Sequence, residues 1–91
     1  MATATAKEDL FRSLGSYLRD KREKKGMTQT DVASSLKVRP QFVSNWERGL
    51  SSPPWRLMRQ LVRVYNIPKN EIVKVLVKEH ESFIRQNLGV K

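Results

Sequence analysis

The chain has no cysteine, which excludes disulfide staples, Cys-ligated zinc and thiol catalysis. It has a single histidine, His80. A lone histidine is far more often structural than a ligand, so no metal site is expected. Acidic residues are scarce, 9 against 18 Lys plus Arg, for a net charge of +9. The 4 glycines form no phosphate-cradling loop, and the carboxylates are scattered among basic neighbours with no Ser-His-Asp set. An enzyme is therefore not expected, nor is a cofactor. No apolar run approaches the length of a membrane span, and Met1 to Lys7 lacks the apolar core of a signal peptide. The expected setting is soluble and cytoplasmic, associated with the nucleoid, with no membrane partner.

What remains is one small domain of 91 residues, too short for a separate sensor domain. Its basic surplus favours a polyanionic partner. Apolar residues recur at helical spacing throughout, with no sustained alternation that would argue for strands. Thr5 and Glu8 are spaced as a capping box for a first helix, whose apolar stripe is Leu10, Phe11, Leu14, Tyr17 and Leu18. Gly26 stops that helix. Thr28 and Asp31 are spaced to cap a second, with Val32, Ala33 and Leu36 apolar. After a turn over Lys37 to Arg39, Pro40 suits the first position of a third helix, where no N–H is needed. Val43 and Trp46 point inward from it, and Gly49 ends it. Trp55, Met58, Leu61, Val62 and Tyr65 form the stripe of a fourth helix, and residues 69 to about 88 form a fifth. The expected fold is all-α with five helices around one core.

The segment QTDVASSLKVRPQFVSNWER, Gln29 to Arg48, reads as two short helices joined by a tight turn. Small Ala33 permits a close crossing. Val43 and Trp46 anchor the third helix, which leaves Gln41, Asn45 and Arg48 facing outward with Ser44 beside them. An α-helix fits the major groove of DNA, and Asn and Gln can bond bidentately to adenine. Gln41 sits at the start of the helix and Asn45 four residues on, on the same face. Phe42 borders this face and is expected to pack.

Together with LRDKREKKGMTQTDVASSLKV, VSNWERG and the helix ending in YNIP, this segment resembles the lambda-repressor/Cro-like (XRE) helix-turn-helix family over Leu18 to Ile67. The resemblance implies a five-helix lambda-repressor-like DNA-binding domain, from whose minimal form the residues after Ile67 depart with a lengthened C-terminal helix. Met1 to Ala6 would be a disordered N-terminus, residues 7–68 the helix-turn-helix domain, and residues 69–91 the C-terminal helix and tail. It implies a sequence-specific transcriptional regulator of double-stranded DNA, expected to be a repressor on a palindromic operator. Gln41 and Asn45 match family positions that read bases. Pro40 matches another and offers only apolar contact, and Arg39 is placed for a phosphate or a guanine edge. Gln29, Ser44, Arg48, Ser51 and Ser52 match the region that grips phosphates. Arg22 and Glu47 match an ion pair that orients the third helix and touches no base. The sequence departs at Lys37, where the family usually has glycine in a left-handed backbone.

Val73, Leu76, His80, Phe83 and Asn87 follow the 3-4 spacing of a short coiled coil, and Ile72, Val77 and Ile84 widen the apolar surface. Two readings stand side by side. In one, Val73, Leu76, Val77, Phe83 and Ile84 form a homodimer interface. In the other, the helix folds back over the first helix. An antitoxin, a restriction-modification controller, or an adaptor that docks an unknown protein partner through the last helix would share this architecture.

Overall fold

The computed structural model describes residues 11–89. Five helices follow in order: α1 (Arg12–Lys24), α2 (Gln29–Leu36), α3 (Pro40–Glu47), α4 (Trp55–Val64) and α5 (Lys69–Leu88). No strand occurs among the described residues. The Thr5–Glu8 capping box, Leu10 and the N-terminal residues 1–6 lie outside the described residues.

The helix starts follow the sequence closely. Thr28 accepts from the Asp31 N–H at 3.0 Å, and the Asp31 carboxylate accepts from the Thr28 N–H at 2.9 Å. These reciprocal bonds hold the Asp31 carboxyl below its ordinary range. Pro40 occupies the first turn of α3.

Four helices end on the same two-bond closure, with a left-handed residue just past the end. Those residues are Gly26, Lys37, Gly49 and Asn66, at φ 70, 60, 78 and 53°. At the end of α2 the Val38 N–H donates to Ala33 at 3.0 Å and the Lys37 N–H to Ser34 at 3.2 Å. Lys37 therefore takes the strained backbone expected of it, at a cost of roughly 1–2 kcal/mol relative to a residue in its preferred region.

The core consists of Leu14 and Leu18 from α1, Val32, Ala33 and Leu36 from α2, Val43 and Trp46 from α3, and Leu57, Met58, Leu61 and Tyr65 from α4. Ile67 and Ile72 close it. α3 packs against both α1 and α2, α4 against α2, and α5 against α1. α1 approaches the end of α3 so closely that a Cβ on Gly15 would lie 2.5 Å from the Trp46 carbonyl oxygen and 2.6 Å from that of Glu47. Glycine is required there by the close approach.

Two residues depart from the expected core. Trp55 is 68 % exposed. The buried stripe of α4 is Leu57, Met58, Leu61 and Tyr65, and Trp55 lies roughly 100° round the helix from its centre, beside the Pro53-Pro54 entry. Phe42 is 50 % exposed, because only Val43 and Trp46 of α3 are buried and Phe42 stands on the flank of that stripe.

The last helix does fold back in part. Tyr17 donates its hydroxyl to Glu71, and Lys21 Nζ lies 2.8 Å from the same carboxylate. Lys21 holds the Glu71 carboxyl low, while burial pushes the Tyr17 phenol well above its ordinary value. Ile72 and Glu79 are buried and Leu76 packs on the core edge. Val73, Val77, Ile84 and Leu88 stay exposed along the adjoining face.

Candidate nucleic-acid interface

The orientation of α3 is fixed from beneath by Glu47. Arg22 grips its carboxylate through both edges, Nε to Oε2 at 2.6 Å and Nη2 to Oε1 at 3.0 Å. Arg22 Nη1 also donates to the Met27 carbonyl at 2.8 Å. Gln29 Nε2 adds a third donor to Glu47 Oε1 at 3.0 Å. The Glu47 side chain is 4 % exposed and that of Arg22 11 %. A buried, bidentate pair of this kind has directional hydrogen bonds as well as Coulomb attraction. Those bonds to Glu47 hold the Arg22 guanidinium above its ordinary pKa, against the opposing effect of burial. The arrangement ties α1, the start of α2 and the end of α3 to one carboxylate.

On the opposite side of α3, Arg39, Pro40, Gln41 and Arg48 are exposed, and Ser44 and Asn45 are half-buried at the foot of the same face. Gln41 Nε2 donates to Asn45 Oδ1 at 2.9 Å. The two amides thus lie side by side and leave free the outer carbonyl oxygen of Gln41 and the amino group of Asn45. Ser51 and Ser52 follow in the half-buried loop after α3. The helix-turn-helix residues singled out in the sequence are therefore brought together. Gln29 differs in one respect, because one of its amide hydrogens is committed to Glu47. The exposed Phe42 ring adds an apolar element beside Gln41 that the sequence reading had assigned to packing.

Glu79 is the residue the sequence reading missed. It is 7 % exposed and takes the Leu14 N–H at 2.9 Å. Its burial pushes the carboxyl above its ordinary value, partly offset by that bond. The spacing Ile72, Val75, Leu76, Glu79 was the available signal, since it sets Glu79 on the buried stripe of α5. Among the described residues there is no group of His, Asp and Glu able to hold a metal ion. No described helix is long and apolar enough to cross a membrane.

A family model described as helix-turn-helix matches residues 18–72, more than half of the chain. Two crystal structures of the clp gene regulator ClgR from Corynebacterium glutamicum are similar to it. One is 26 % identical with a TM-score of 0.64, covering 88 % of this chain and 82 % of that one. The other is 27 % identical with a TM-score of 0.62, covering 80 % and 91 %. A comparison with curated proteins gave no match.

Proposed function

The chain belongs to the helix-turn-helix family, and from that membership we propose a sequence-specific, double-stranded DNA-binding transcriptional regulator that represses by occupying a palindromic operator. The observation that carries this reading is the paired Gln41 and Asn45 amides on the exposed face of α3, opposite the buried Arg22–Glu47 brace. α3 enters the major groove with these two reading base edges, and Arg39 and Pro40 flank them. Arg48, Ser44, Ser51 and Ser52 hold phosphates. Gln29 joins them through the part of its amide not engaged by Glu47, at the start of α2. The net charge of +9 supports steering towards a polyanion. The similarity to ClgR supports a regulatory role, and the setting proposed is the cytoplasm, on the nucleoid.

One recognition helix covers too few base pairs for specificity in a genome. Two copies related by a two-fold axis would place their helices about 34 Å apart on one face of the duplex. The exposed Val73, Val77, Ile84 and Leu88 on α5 are the surface proposed for that homodimer, with Phe83 and the half-buried Leu76 at its edge.

The test is selection of bound sequences from a random duplex pool, followed by titration of the best site. Gln41→Ala and Asn45→Ala should each cost about 1–3 kcal/mol and relax preference at one position, and binding should fall steeply with salt. An Asn45→Ala protein with unchanged affinity and unchanged preference would overturn the reading.

A further inference from the structure

We propose that the groove between α1, the loop leading into α4 and the second half of α5 binds a small organic cation with an apolar body, its ammonium group held by Glu79. The groove has a volume of ≈ 650 Å³, within the roughly 300–1,000 Å³ typical of small-molecule sites. Its walls include Phe11, Leu14, Pro53, Trp55, Met58 and Phe83. In this apolar lining Glu79 is nine-tenths buried as a residue.

A carboxylate offers about four acceptor positions. Among the described residues Glu79 has one donor, the Leu14 N–H, and no Lys or Arg forms an ion pair with it. A buried charge without a counter-charge is costly, and a ligand ammonium group would supply that counter-charge. The rim suits the same chemistry. Trp55 and Phe83 present exposed rings, Phe83 stacks on His80 at 6.4 Å, and aromatic faces attract cations. An anion would meet the carboxylate unfavourably. A neutral apolar molecule would leave it unpaired.

Ser52, Pro53 and Pro54 line the groove and follow directly from the end of α3. Occupancy should therefore alter the loop proposed to grip phosphates. This coupling rests on the DNA reading, whereas the binding site does not.

The experiment titrates the full chain, without DNA, with phenylbutylamine, which is cationic at neutral pH, and with the neutral phenylbutanol. Amide and indole resonances of Leu14 and Trp55 report occupancy. The expected result is a saturable shift at both, with the amine bound about tenfold or more tighter than the alcohol, the worth of one charge-assisted hydrogen bond. Glu79→Gln, which keeps an acceptor for Leu14, should remove that difference, with circular dichroism checking its fold. The proposal is overturned if amine and alcohol bind the unmutated chain alike, or if neither shift saturates. Leu76, Val77 and Phe83 line the groove and also belong to the surface proposed for the homodimer, so the titration is repeated across chain concentrations. Amine binding that disappears as the chain self-associates overturns the cation site and leaves the dimer reading standing. A chain that binds no DNA in a parallel assay without amine would leave the cation site standing and remove only the coupling.

Discussion

Two buried carboxylates meet α1, Glu47 through the Arg22 side chain and Glu79 through the Leu14 N–H, and they are treated differently. Glu47, at the junction of α1, α2 and α3, accepts from both edges of the Arg22 guanidinium and from Gln29. Glu79, between α1 and α5, accepts one backbone N–H. The first is complete within the chain, and it stands directly behind the proposed reading face. The second lies in an apolar groove and has no cation partner among the described residues. The contrast separates a region built to hold one geometry from a region with capacity to take something more. A buried charge whose partners all come from its own chain makes the position of α3 a property of the fold. A carboxylate that takes one backbone N–H, with no counter-charge beside it among the described residues, keeps acceptor positions for something more.

The sharpest way to break this comparison is to remove Glu47. Glu47→Ala leaves Arg22 buried without its counter-charge, and the expected loss is about 3–5 kcal/mol, a large share of the stability of a domain this size. Thermal unfolding measures it. A melting temperature equal to the unmutated protein's would show that the junction is held by packing alone.

Next in size is Gly15→Ala. Its methyl group would be driven into the Trp46 and Glu47 carbonyls at the end of α3, which are backbone and cannot rotate away. Overpacking of this kind costs about 1–3 kcal/mol, partly offset by the better helix propensity of alanine. If α3 is displaced as a unit, DNA affinity should fall by more than stability does. A variant at least as stable as the parent would mean that α1 and α3 slide apart readily.

The smallest effect is expected at the other carboxylate, where it depends on pH. Burial raises the Glu79 carboxyl above its unfolded value, so the protonated form favours the fold. That contribution is complete below the unfolded carboxyl pKa and is lost as pH rises through the folded one. Glu79→Gln removes the burden of the buried charge. It should therefore raise the melting temperature at neutral pH, with the gain shrinking to nothing in acid. A gain independent of pH, or a loss at neutral pH, would mean that the helix end at Leu14 stabilises the charged form more than burial opposes it.

Features that rest on local rules were legible in the sequence. Thr28 and Asp31 close their capping box, Pro40 begins its helix, and Gly26 and Gly49 follow helix ends. Each depends on a few consecutive residues whose backbone needs are met nearby. The pairing of Arg22 with Glu47 was implied by family resemblance. It was not visible from spacing, because the partners lie on different helices.

The errors arose where the angle of a side chain around its helix, and what lies opposite, mattered more than its type. Trp55 and Phe42 are large aromatics expected to pack, yet each stands off the buried stripe of a short helix. Leu57, left out of the expected stripe, is in the core. Gly15 carries no local signal of its role, which comes from the end of α3 packed against it.

The sequence by itself determined five helices, their caps, the outward-facing Gln41 and Asn45, and the basic surplus, because helical periodicity and capping are encoded within about one turn. Only the tertiary structure decided that Glu47 collects three donors, that Gly15 admits no side chain, and that α5 covers α1 with one face while leaving another exposed. It alone placed Glu79 in an apolar groove with no cation partner among the described residues. Each of these depends on which helix lies opposite, and residues far apart in the chain meet only when the core closes.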